Sequence, residues 1–152
     1  ETAMFWMGGL VALATALAKS GFIAWIAKLI GTAVAAANMG WIASFVLISL
    51  IYIYSHYCFA SVTARISAMY AAFVAVAAAC GVPAMLVAIT FGCFANLPIS
   101  LTHYGNGCGP VYFGAGYVSQ GEWWRNGFII TTINVVIWLT IGMAWWKFIG
   151  LY

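Results

Sequence analysis

Charge is what this sequence has least of. Of its 152 residues, 5% are charged: five Lys or Arg and two Glu. A soluble domain carries about a quarter, so Glu1, Lys19, Lys28, Arg65, Glu122, Arg125 and Lys147 cannot cover a soluble surface of this size. The gaps between them say more: 29–64, 66–121 and 126–146 hold no charge at all. A membrane span needs roughly 20 apolar residues. The chain therefore reads as an integral membrane protein, in keeping with its 66% hydrophobic content and mean hydropathy of +1.08. The few cations are spread out and form no basic tail, which excludes nucleic acid as a partner. The two Glu lie in polar flanks and cannot pair for acid–base chemistry, so no enzyme is expected. Cys58, Cys80, Cys93 and Cys108 lack C-x-x-C spacing and sit in apolar surroundings. They read as small buried side chains, with no metal or disulfide expected.

The chain begins at Glu1, and the apolar run from Met4 has no basic leading region and no cleavage site after it. It is not a signal peptide, and the chain reads as a fragment of something longer or a processed product. The end, "WWKFIGLY", reads as a natural terminus with one Lys anchor and an aromatic belt.

What is present is a series of apolar runs. Met4 to Ala18 reads as the end of a first span, closed by "KSG". Phe22, Ile23, Trp25, Ile26, Leu29 and Ile30 recur at helical spacing between Lys19 and Lys28, the pattern of an interfacial helix within 1–40. Trp41 to Phe59 is one continuous run. "AMYAAFVAVAAAC" continues as helix to Cys80, and Pro83 opens the next helix at its first position. That helix runs to Pro98. "SQGEWWRNG", 119–127, reads as a short wet loop, and Phe128 to Trp146 as the last span.

Two polar breaks interrupt these runs. One is the 60–65 tip with Ser61, Thr63 and Arg65. The other is 98–110, where Pro98 and Pro110 bracket Ser100, Thr102, His103, Tyr104, Gly105, Asn106, Gly107 and Gly109. Non-helical backbone survives at membrane depth only inside protein or along a watery cavity. Helix halves that meet there turn free N–H ends toward a cavity, which suits carboxylates. Glycines let backbone approach a ligand, hydroxyls donate, and His103 can add charge. The other reading is an ordinary loop outside the membrane with Ser and Thr as helix caps, and both stay open. Arg65 likewise reads as functional, as snorkelling, or as filling a structural gap. His56 reads as a satisfied buried histidine, with a haem-ligand pairing to His103 as the alternative.

"FASVTARISAMYAAF", "SLTHYGNGCGPVYFGAGYVSQGEWWRNGF" and "WWKFIGLY" together resemble the divalent anion/sodium symporter family, and "FWMGGLVALATALAKSGFIAWI" resembles its glycine-rich segment. The nearest branch is that of the di- and tricarboxylate exchangers for oxoglutarate/malate, citrate/succinate and tartrate/succinate. The resemblance implies an all-α polytopic membrane protein in which this chain is the second of two inverted repeats. Residues 41–80 would form a re-entrant hairpin with its tip at Ser61, Val62 and Thr63. Residues 81–118 would form a broken transmembrane helix with its unwound centre at Thr102 to Pro110. Residues 119–152 would supply a cytoplasmic loop and the last span. The implied substrate-binding residues are Ser61, Val62, Thr63, Thr102, His103, Tyr104, Gly105, Asn106, Gly107 and Pro110.

One departure bears on coupling. Sodium-coupled members carry Asn at the middle of the tip, where this chain has Val62, which has no side-chain oxygen. The resemblance therefore implies secondary transport of small carboxylate anions by exchange. The missing N-terminal repeat, membrane lipid and a second copy of the carrier are its partners, and a bacterial inner membrane is its location. It implies no cofactor, with Na+ as a coupling ion in the alternative. The alternatives are a sodium-coupled dicarboxylate or sulfate symporter and, in another class, a haem-binding membrane redox subunit.

Overall fold

The computed structural model describes residues 9, 12–13, 15–17, 19–37 and 39–152. Most of the expected first span, Met4 to Ala18, lies outside the described residues. Among those described there are helices and no strand. Helix α1 is Phe22–Ala36, α2 Trp41–Tyr54 and α3 Val62–Ala79. A tight 3-10 turn, Ser55–Cys58, and extended Phe59 separate α2 from α3. Helix α4 is Ala84–Phe94, followed by a second 3-10 turn, Leu97–Ser100. Helix α5 is Gly109–Gly114, α6 is Gln120–Ile137, and α7, Met143–Phe148, continues α6 through a π-helical stretch at Trp138–Gly142. Trp41–Cys58, Val62–Ala79 and Gln120–Phe148 are long and apolar enough to cross a membrane.

The core is aromatic. Tyr52 of α2 stacks on Phe91 of α4 at 4.6 Å and meets Phe73 of α3 at 5.7 Å, while Phe94 meets Trp138 edge-on at 6.2 Å. Offset and edge contacts at these separations add about 0.5–1.5 kcal/mol per pair beyond burial. They bind α2, α3, α4 and the last helix into one body. Helix α1 joins through small residues: Ile23, Ala27 and Val34 are buried, and Gly31 lies against Val76 of α3. The stripe expected to lie in the interface is thus divided. Ile23 turns inward, while Phe22, Trp25 and Leu29 face out.

Local chemistry explains the helix ends. Gly81, at φ 82°, closes α3, with Val82 N–H bonded to Ala77 O at 3.2 Å and Gly81 N–H to Ala78 O at 3.0 Å. This is a Schellman motif, and its left-handed position suits glycine. Pro83 then stands just before α4, as its cap and not its first residue. The stretch 119–127, expected to be a polar loop, is helical from Gln120. Ser119 accepts from Glu122 N–H while the Glu122 carboxylate accepts from Ser119 N–H at 2.9 Å. This reciprocal capping box starts a helix where Gly121, Asn126 and Gly127 suggested none.

Candidate functional site

The two polar breaks are built on neighbouring elements. Ser61 caps α3, its hydroxyl accepting from Ala64 N–H at 3.4 Å. Val62 opens the helix and is half-buried, and Thr63 is exposed. The second break is a run of turns from Leu101 to Cys108 that leads into α5. It packs against the turn that ends α2, one residue pair before the tip. The Tyr104 hydroxyl donates to Tyr57 O at 2.8 Å. The His56 ring lies against Gly105: a Cβ added there would stand 2.5 Å from His56 Nε2 and 2.9 Å from Thr102 Oγ1. The close approach that glycine permits at 105 is therefore to a histidine of the same chain.

His56 and Thr102 are fully buried, and neither ring nitrogen of His56 nor Thr102 Oγ1 meets hydrogen-bond geometry with any described residue. The expected burial of His56 is observed, with its ring set beside the Gly105 backbone. Trp124 Nε1–H donates to His103 Nδ1 at 3.3 Å, so that nitrogen serves as an acceptor. His103 also stacks on Phe113 at 4.3 Å.

Asn106 shapes the loop. Its Oδ1 accepts from Cys108 N–H at 2.9 Å and Gly109 N–H at 2.7 Å, and its Nδ2 donates to Ile99 O at 3.1 Å. Two N–H groups at the start of α5, expected to face an anion, are thus occupied by the chain's own amide. Pro110 sits inside the first turn of α5, where its missing N–H costs nothing. Gly107 is exposed and open, with nothing within 4 Å of an added Cβ, whereas one at Gly109 would collide with His103 O. Of the residues named from sequence, Thr102 and Gly105 are buried. Ser61, Val62, Thr63, His103, Tyr104, Asn106, Gly107 and Pro110 keep accessible surface. No hydrogen bond among the described residues joins Ser61 or Thr63 to the 102–110 loop.

Beside the tip opens a cavity of about 360 Å³ lined by Leu13, Leu17, Cys58, Phe59, Ser61 and Ala64. It is mostly apolar, and Ser61 supplies its hydroxyl. A larger groove of about 480 Å³ lies between α1 and α3, away from both breaks. Sequence reasoning named Arg65 without its partners and missed two further residues here, Gly127 and Trp124. Arg65 is fully buried and donates to the carbonyls of Tyr52, Phe94 and Ala95. Gly127 lets α6 pass directly against Ser100 O, and Trp124 holds His103. Of those two, only Gly127 carried a signal, as a lone glycine among apolar helix formers. Among the described residues no group of three His, Cys, Asp or Glu could hold a metal ion.

Comparison with known proteins places the chain in a family. Dicarboxylate transporter 1, chloroplastic, of Spinacia oleracea is 45% identical over 147 residues, 97% of this chain and 26% of its own length. Its namesake in Arabidopsis thaliana is 43% identical over the same shares. Inner membrane protein YbhI of Escherichia coli is 35% identical over 95% of this chain and 30% of its own. The chain thus spans 26–30% of the length of these relatives. It is an integral membrane protein, with three helices long and apolar enough to cross. The family model for the sodium:sulfate symporter transmembrane region matches residues 2–152, and the chain belongs to that family of transporters.

Proposed function

We propose that this chain is the second inverted repeat of a secondary carrier that exchanges small dicarboxylates or tricarboxylates, such as malate, succinate, oxoglutarate, citrate or tartrate, by alternating access. The observation that carries the reading is the junction of two helix breaks inside an apolar bundle, the His56–Tyr57 turn against Thr102–Gly105. Soluble loops do not need such a junction, but a midplane substrate site does. Relatives named for dicarboxylate transport supply the substrate class. Ser61, Val62, Thr63, His103, Tyr104, Asn106, Gly107 and Pro110 face the missing first repeat and complete the site with it. Thr102 and Gly105 set its shape from behind. The carrier works as a homodimer in a bacterial inner membrane, and it is not an enzyme.

Two features favour exchange over sodium coupling. Val62 offers no oxygen, and the Ser61 hydroxyl oxygen is engaged by Ala64 N–H. A hard cation needs several oxygen ligands, and the tip has few to give. A substrate with two negative charges then needs a fixed cation, and His103 is the candidate, with Arg65 or a residue of the missing repeat as the alternative. A fixed charge left unpaired is costly to carry through an occluded state, so the empty carrier returns slowly. The test is uptake of labelled malate by the full-length carrier in vesicles, with and without internal dicarboxylate, in sodium and in potassium buffer. Exchange gives uptake that depends on internal substrate and ignores sodium. Fast, sodium-dependent uptake into empty vesicles would favour the symporter reading, for dicarboxylate or for sulfate.

A further inference from the structure

Among the described residues Arg65 is the largest fully buried side chain, and its hydrogen bonds go to backbone carbonyls and none to a carboxylate. Its Nη1 donates to Tyr52 O at 2.9 Å, and its Nη2 donates to Phe94 O at 3.2 Å and Ala95 O at 2.7 Å. The guanidinium also lies over the Tyr52 ring, 4.6 Å from its centroid. These acceptors are specific to the break. In a continuous helix Phe94 O would bond the N–H four residues on, but that residue is Pro98, which has none. Ala95 O would bond Ile99 N–H, which instead donates to Asn96 O at 3.3 Å. Breaking α4 thus orphans two carbonyls inside the apolar bundle. One side chain from another helix takes both. That side chain belongs to the first turn of α3, where Arg65 N–H is bonded to Ser61 O at 3.1 Å.

We propose that Arg65 is the positioning residue of the site: its guanidinium caps the broken end of α4 from the hairpin and so sets the register between the Ser61–Thr63 tip and the 101–108 loop. The fork matters here as well as the charge. A planar guanidinium reaches Tyr52 O on one side and the paired carbonyls on the other, which a lysine ammonium cannot do in the same geometry. Carbonyl dipoles and a ring face stabilise the guanidinium but carry no net charge, so its positive field persists behind the tip, where an anion is to bind. The inference rests on the carrier reading for its substrate, but its structural half stands apart from it.

The experiment compares the full-length carrier with Arg65→Lys and Arg65→Gln by malate exchange kinetics and by hydrogen exchange of backbone amides. With charge kept and fork lost, Arg65→Lys is expected to raise KM about tenfold while the maximal rate per folded carrier stays within about twofold. Arg65→Gln raises KM about a hundredfold, as expected when hydrogen bonds to a charged group are lost. Amides of 95–101 exchange at least about tenfold faster in both variants, while 66–79 stay protected, because only the cap is removed. Unchanged KM with unchanged protection at 95–101 would overturn the proposal. So would faster exchange spread evenly over the carrier with KM unchanged, the mark of a residue that only stabilises. If Arg65→Gln fails to insert, the Lys variant decides. If the wild-type carrier moves no dicarboxylate, the substrate reading falls and the amide pattern still decides the role of Arg65.

Discussion

Three glycines lie within five residues of the break, and the structure assigns them different costs. An added methyl at Gly105 would stand 2.5 Å from His56 Nε2 and 2.9 Å from Thr102 Oγ1. Real side-chain contacts do not come that close, so the ring or the loop must shift. The ring is fully buried, with Tyr104 bonded to the neighbouring Tyr57 carbonyl, and it has little room to give. Overpacking of this kind costs about 1–3 kcal/mol. At Gly109 the obstacle is the His103 carbonyl, which is backbone and cannot rotate away, so the cost falls at or above the top of that range. At Gly107 nothing lies within 4 Å, and alanine there should be silent in stability, within about 0.5 kcal/mol. Thermal unfolding of the full-length carrier in detergent should therefore rank the variants Gly107→Ala, Gly105→Ala, Gly109→Ala from least to most destabilised. Transport adds a second axis. If the open face at 107 meets substrate or the missing repeat, Gly107→Ala lowers malate exchange without lowering the melting temperature. Equal destabilisation by Gly105→Ala and Gly107→Ala would refute the reasoning, since it would mean that His56 does not stand against 105.

Asn106→Ala removes the acceptor of two backbone N–H groups at the start of α5, so it should cost about 0.5–2 kcal/mol. Asn106→Asp, which keeps that acceptor, should recover most of the loss in the same unfolding assay. Gly127→Ala drives a methyl into the Ser100 carbonyl and should part α6 from the break. A cost of about 1–3 kcal/mol is expected, read as a lowered unfolding temperature, and a neutral result would show that α6 does not pack there.

Much of the helical layout is legible in the sequence, because its causes are local. A charge-free run of apolar residues has to satisfy its own backbone and does so as helix, which is how α2 and the bodies of α3 and the last helix read from the sequence, though not the starts of the latter two at Val62 and Gln120. Pro98 and the glycines of 105–109 break a helix by covalent geometry, whatever surrounds them. The helical start at Gln120 was nevertheless legible, in Ser119 followed three residues on by Glu122. The glycines and Asn126 around it obscured that signal, and their weak propensity is outweighed once the cap and the packing of Gly127 are in place.

What each break touches is another matter. Nothing near Arg65 in the chain predicts that it takes the carbonyls of Phe94 and Ala95, some thirty residues on. Pro98 announces that a carbonyl is orphaned, but which distant donor answers depends on how α3 packs on α4. The same holds for His56, whose neighbours at Thr102 and Gly105 meet it only when the bundle closes. Helices and their ends follow from each residue's own hydrogen bonds and dihedral limits. The partners of buried polar groups follow from packing, because only a folded bundle brings a donor and an acceptor so far apart in sequence within about 3 Å.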